Sequence, residues 1–477
     1  MKKKISLLLT ACSMLAIVAS LAGCGNEKEE TLKWYFPGNP TKADNKEVYD
    51  KASNMIKEKL GFGVEFIPFE LGSYSEKMKM IISSGEEFDI CWTSPNFNDY
   101  KLNVANEAFV PLDDLLKDAP DLKNLLNDDI WDATRVQGMI YGVPTQQIMA
   151  RSLAVVTPKI FYDKYGDLLK KADNFEKLGD YLAACTQDKP NYAHLNISWS
   201  DMLLSYHMEE IIGQKLPGAV YVTDEKNNIK VFNQYDTEWF ENIMKTRAEW
   251  TKKGYTMNAL PSAQSIKNTE YDNPIIFNTY KPGLASEMNA DYDIEIEQIG
   301  PAYLTTSGVT ATLNAVSSTS KHKKEAIKLL EYINTDKDIN NLLVYGIEGK
   351  HYVKVDENTV KITNEEGFSN FNWVLGNTFN LYVKEGVESD CWDKTKELND
   401  NAIPSCLLGF SADINPIALE ATNCSSVVQE YYATLEAGIG DTDALIAEMR
   451  NKLKIAGADK IIEELQRQVD KWMAENK

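Results

Sequence analysis

The sequence predicts an α/β protein built of more than one lobe. Three observations carry this: strand and helix patterns alternate from residue 31 onward, 477 residues exceed what a single core holds, and the C-terminal region is patterned as helices. Residues 31–36 (TLKWYF) form a strand candidate closed by Pro37 and Gly38. Val48, Ala52, Met55, Ile56 and Leu60 then recur at helical spacing until Gly61 stops them. Residues 64–69 read as a second strand, and Ser73 with Glu76 reads as a capping box before Met78, Ile81 and Ile82. Residues 88–93 (FDICWT) give a third strand. Such a succession predicts a mainly parallel sheet covered on both faces, with ligands held beyond the carboxyl ends of its strands. Residues 34–39, 70–74 and 92–98 occupy those ends.

Further along, residues 150–156 and 274–280 read as strands and 294–299 alternates with period two. Residues 311–316 lead through Ser317 to Ser320 into a helix whose inner face is Ala326, Ile327, Leu330 and Ile333. Asp441 or Thr442 caps a helix carrying Leu445, Ile446, Met449 and Leu453, ended by Gly457. A last helix aligns Ile461, Ile462, Leu465, Val469 and Trp472 on one face, a stripe that suits core packing.

Charge narrows the function. Fifty Lys and Arg against 71 Asp and Glu give −21, which disfavours nucleic acid as a partner, because phosphate affinity comes from clustered cations. The first residues read as an export signal: Lys2, Lys3 and Lys4, an apolar stretch from Ile5 to Leu21, then a polar run from Gly25 to Glu30. Leu21-Ala22-Gly23-Cys24 resembles a bacterial lipobox, in which the cysteine is diacylated and becomes the new N-terminus. Removing residues 1–23 takes away three lysines and lowers the charge from −21 to −24. The expected layout is therefore a signal peptide at 1–23, a lipidated tether at 24–30, and a body outside the membrane held by diacyl-Cys24. Cys91, Cys185, Cys391, Cys406 and Cys424 read as buried small hydrophobes, and sequence does not say whether any two of them pair.

Enzyme signatures are weak. The chain contains no HExxH, GxSxG or GxxxxGK[ST] motif. His194, His207, His322 and His351 are too scattered to announce a metal site, and Gly438-Ile439-Gly440 lacks the strand and third glycine of a dinucleotide loop. No catalytic residue, metal or cofactor is expected.

The lipobox, the early strand Leu32 to Phe36, and the run Asn314 to Ala326 together resemble the extracellular solute-binding proteins of ABC importers. Within these, the chain is similar to the family-1 lipoproteins of Gram-positive bacteria associated with oligosaccharide uptake. Tyr141-Gly142-Val143-Pro144 resembles that family's first passage between lobes. Tyr345 to Tyr352, Gly409-Phe410, Asn415-Pro416, Lys452 to Gly457, Gln466 to Gln468 and Trp472 resemble a C-terminal module found in one branch. The resemblance implies a two-lobe periplasmic-binding-protein-like clamp: lobe 1 from 31–143 and 305–338, lobe 2 from 144–304 and 339–404, and a helical module at 405–477 whose docking lobe is open. It also implies an oligosaccharide ligand, the transmembrane subunits of an ABC permease as partner, and a monomer at the outer face of the cell membrane. Two other readings stay open: a peptide or other organic-solute receptor or sensor on the same clamp, and a lipoprotein glycosidase.

A sugar suits the composition. A pyranose has a C–H face that fits an aromatic ring and a hydroxyl rim that fits amides and carboxylates, and aromatic residues make up 10% of the chain. Expected ligand contacts are Trp34, Tyr35, Asn39, Trp92, Asn96, Tyr141, Gln146, Trp199, Tyr280 and Trp373, with Gln147 and Asn372 as further amides. Trp34, Trp92 and Tyr280 are expected to approach one cleft, since each follows or ends a predicted strand.

Overall fold

The structure is a computed structural model that describes residues 30–188, 193, 197–225, 228–256, 274–288 and 292–475. The signal peptide, Cys24 and His194 lie outside the described residues.

The first lobe is built on a five-stranded sheet in the order Gly63–Phe69, Thr31–Pro37, Ile90–Thr93, Leu313–Val316 and Gly142–Pro144. The first three run parallel, as the alternation predicted, and Leu313–Val316 joins antiparallel, pairing Asn314 with Trp92. Helices cover both faces, so the strands read almost continuously apolar, from Leu32 to Phe36 for example. The helix Asn45–Leu60 buries Val48, Tyr49, Ala52 and Ile56 and ends at Gly61, whose φ of 91° closes the last turn onto the Lys57 carbonyl. Ser73 does not cap its helix: Leu71–Ser84 begins two residues earlier, and the Ser73 hydroxyl donates to the Glu70 carbonyl at 3.2 Å.

The second lobe has a four-stranded sheet in the order Ile276–Thr279, Ala150–Pro158, Ile294–Leu304 and Ile403–Pro404. Its inner face packs Leu153 and Val155 against Trp199, Tyr235 and Trp250. The C-terminal helices Ala418–Glu436, Thr442–Ala456 and Ala458–Glu475 join this same core through Cys424, Val428, Leu453 and Leu465, so the module docks on lobe 2. Asp441 caps the middle one by accepting from the Ala444 N–H.

The lobe boundary differs from the expected one. Ile339, Leu342, Leu343, Phe368, Val374 and Leu375 pack in the core of lobe 1, not lobe 2. The reason is amphipathic continuity: Lys337–Tyr345 follows Lys323–Thr335 after one residue and lies against the Asn45–Leu60 helix. A small sheet of Tyr352–Lys354, Thr359–Ile362 and Val383–Lys384 hangs from this region. Cys91, Cys185, Cys391, Cys406 and Cys424 are all buried. Among the described residues no helix is long and apolar enough to cross a membrane.

Candidate ligand-binding site

Of the three passages between the lobes, two short ones define where the sheets face each other. Residues 145–149 join Gly142–Pro144 of lobe 1 to Ala150–Pro158 of lobe 2, and 305–312 return from Ile294–Leu304 to Leu313–Val316. Fully stretched, the first passage spans no more than about 22 Å between strands, so whatever flanks it on the two lobes shares one gap. Asn399 fastens this passage, its side-chain oxygen accepting from Met149 and Ala150 N–H groups at 2.8 and 2.9 Å.

On lobe 1 the carboxyl end of Ile90–Thr93 carries an aromatic cluster beside these passages. Trp92 meets Trp373 at 5.7 Å, Phe97 at 6.2 Å and Tyr74 edge-on at 5.6 Å, and Trp373 stacks on Phe371 at 5.1 Å. Thr312, within the second passage, donates to the Trp373 carbonyl at 3.1 Å and holds the segment there. Phe97 is exposed, and Phe371 and Trp373 are partly so. Trp92 itself is 2% exposed, and its indole N–H finds no acceptor. Trp239 and Trp392 share that last feature, so an unused N–H is not diagnostic by itself; Trp92 differs in standing at a strand end under an open aromatic surface.

Other expected contacts lie elsewhere. Trp34 is wholly buried, its N–H donating to Asn314 at 3.3 Å, and it offers no face to a ligand in this conformation. Trp199 is likewise core: it stacks on Tyr235 at 5.9 Å and its N–H donates to Glu210 at 2.8 Å. Both sit at positions whose partners come from distant segments, which local reading does not reveal. Tyr35 stacks on Phe69 and donates to Glu86 at 3.0 Å, and burial pushes its phenol well up. Asn39 bonds the Ser369 carbonyl at 3.1 Å. Tyr280 is partly buried in a small cluster with Ala154, Val156 and Leu284 on the other face of the lobe 2 sheet. Asn96 is exposed beside Phe97, Tyr141 is half-buried, and Gln146 bridges to Asn377 within the first passage. Gln147 lends its carbonyl to Asn399 and Asn372 its carbonyl to Thr378. Of the expected set, Trp92, Asn96 and Trp373 therefore converge with the newly found Phe97 and Phe371.

The opposite wall is one that sequence reading missed. Arg151 and Tyr303 pair across the hinge-facing end of the lobe 2 sheet, Asp201 accepts from Thr279 at 3.1 Å, and Ser405 donates to Glu209. Glu209 keeps some open surface, yet surrounding protein strips enough water to push its carboxyl up to about 7, as expected of a cleft wall. Burial also raises the Asp201 carboxyl, with Arg151 opposing. None of these residues belongs to a motif, so only the fold could have found them.

One trio of potential metal ligands converges among the described residues: Glu30, His322 and Glu325, at the surface where the first strand begins. His351 is committed elsewhere, accepting from the Ile347 N–H through Nδ1 and meeting Asp44 through Nε2 at 3.1 Å.

Two α/β lobes, joined by short passages and facing each other with aromatic and charged walls, define a two-lobe solute-binding protein. Comparison with known proteins agrees. The chain is 27% identical to a carbohydrate ABC transporter substrate-binding protein of Streptococcus pneumoniae, with 98% of each chain covered. The structure of the N-glycan transport solute binding protein NgtS of the same organism superposes with a TM-score of 0.83 at 25% identity, covering 94% of this chain and 100% of that one. NgtS in complex with Man5GlcNAc gives 0.69 over the same shares at 25% identity. A domain of unknown function, DUF3502, matches residues 406–474, the C-terminal module. The resemblance read from the sequence, to the substrate-binding proteins of carbohydrate ABC importers, points to the same kind of protein as these likenesses.

Proposed function

We propose that this chain is the extracellular receptor of an ABC importer that clasps an oligosaccharide of the N-glycan type between its lobes and presents it to the permease. The observation that carries this is the aromatic wall of Trp92, Phe97, Phe371 and Trp373 at the interlobe gap, a surface made for pyranose faces. Asn96 supplies a rim amide. Hinge closure suits two lobes joined through the short passages at 145–149 and 305–312. The chain binds and releases rather than catalyses, and it acts as a monomer. Calorimetric titration with a mannose–GlcNAc oligosaccharide tests the reading: saturable binding supports it, and silence across mannose- and GlcNAc-containing glycans rejects it.

Attachment to the membrane rests on Cys24. Cys24→Ala is expected to leave the body folded and release it from cells, since two acyl chains, not the acidic body, hold it there. Fractionation after a high-salt wash checks this; a variant that stays with the membrane contradicts it.

A further inference from the structure

The interlobe gap has one aromatic wall and one charged wall, and the charged one carries both signs. Four ionisable side chains lie along it. Lys101 comes from lobe 1, on the helix Tyr100–Ala105 that follows the aromatic segment. Arg151, Asp201 and Glu209 come from lobe 2, on the strand Ala150–Pro158, the helix Trp199–Leu204 and the strand Met208–Glu210.

Their hydrogen-bonding capacity is largely unused. Lys101 and Arg151 are partly open, and among the described residues neither side chain makes a hydrogen bond or an ion pair within 4.0 Å. An ammonium offers three N–H donors and a guanidinium five, and leaving them without partners in a partly dehydrated place costs stability. Arg151 is held in place all the same: its Cγ lies against Gly308, where an added Cβ would come within 3.4 Å. Asp201 takes one side-chain hydrogen bond, from Thr279, and Glu209 one, from Ser405, so each carboxylate retains free lone pairs. Dehydration of Lys101 is opposed first by Asp99 beside it and then by Glu209, so the lobe 1 ammonium lies within electrostatic reach of the lobe 2 wall.

Two cationic donors and two carboxyl acceptors, facing a sugar-stacking wall, match a polyhydroxylated ligand without charge of its own. A carboxylate on the ligand would meet Asp201 and Glu209 as readily as Lys101 and Arg151, and would gain nothing for its lost hydration. Resting on the oligosaccharide reading above, we propose that Lys101, Arg151, Asp201 and Glu209 read the hydroxyl rim of the sugar and select neutral glycans over acidic ones.

The test is titration calorimetry with a neutral mannose–GlcNAc oligosaccharide and the same glycan bearing a terminal uronic acid, together with melting curves. Lys101→Met and Glu209→Gln are each expected to weaken neutral-glycan binding by about tenfold or more, the lower end for hydrogen bonds to charged groups, with little change in Tm. The wild type is expected to prefer the neutral glycan, and Glu209→Gln to narrow that preference. Arg151→Lys, which keeps the charge and fits the same space, is expected to bind more weakly than wild type yet fold, which covers the case of Arg151→Met failing to fold. The proposal is overturned if Lys101→Met and Glu209→Gln bind within about twofold of wild type while Trp92→Ala loses affinity, or if the acidic glycan binds as tightly as the neutral one. Wild type that binds neither glycan overturns the oligosaccharide reading itself, and this inference with it.

Discussion

Lobe 1 meets the gap with rings and one lysine, and lobe 2 meets it with charges of both signs. The difference follows from how each sheet ends. Ile90–Thr93 is a central strand buried on both faces that carries Trp92 near its end, and the loop after it carries Phe97. Ala150–Pro158 enters its sheet directly from a passage, and its second residue, Arg151, stands where the core has not yet closed. An aromatic wall supplies area and tolerates sliding; a charged wall supplies direction and rejects misplaced hydroxyls. The comparison also separates two buried tryptophans: Trp199, whose N–H is taken by Glu210, belongs to the core, whereas Trp92 underlies an open cluster with its N–H unused.

The sharpest way to break this division is Trp199→Ala. It is expected to destabilise the fold by about 3–5 kcal/mol, the usual cost of truncating a core aromatic, while leaving the affinity of the folded fraction unchanged. Denaturant melts and calorimetry on one preparation check both halves. Trp92→Ala is expected to weaken oligosaccharide binding by about 1–3 kcal/mol, as for an anchor aromatic, and to lower Tm less than Trp199→Ala does. Unchanged affinity with a Tm loss as large as that of Trp199→Ala would assign Trp92 to the core.

The charged lobe should also reveal itself through pH. Burial raises Glu209 to about 7 and Glu210 to about 8 from an ordinary 4.5, so the folded chain keeps protons that the unfolded chain has released. Their effect on stability is therefore most favourable below about 4.5 and is lost as pH rises to about 8. Glu210→Gln is expected to flatten the fall in Tm between pH 5 and 8; an unaltered slope would count against a dehydrated carboxyl there. Smallest of all, Phe97→Ala should leave stability within about 0.5 kcal/mol, as for an exposed site, and lower affinity modestly by shortening the platform.

Much of the fold was legible in the sequence because period carries it. The strands at 31–37, 63–69 and 150–158, the helix stopped by Gly61 and the cap at Asp441 all rest on neighbours in the chain. The expected class of ligand came from the resemblance to carbohydrate-importer receptors, with which the aromatic content agreed. What failed was whatever depends on distant segments. Trp34 and Trp199 look like platforms until Asn314 and Glu210 arrive from elsewhere to use their N–H groups. The segment 339–375 looks like a return to lobe 2 until its apolar face is seen against the Asn45–Leu60 helix. Arg151, Asp201 and Glu209 are three unremarkable residues until the fold sets them on one wall.

Calorimetric titration of the purified protein with Man5GlcNAc, before and after Trp373→Ala, tests the central claim most directly. Trp373 is partly open and anchored through its backbone to Thr312, so its side chain can be removed with little cost to the fold. The account predicts one saturable site in the wild type and an affinity at least about tenfold weaker in the variant at nearly unchanged Tm. Equal affinity in both proteins, or no heat from either, would contradict it.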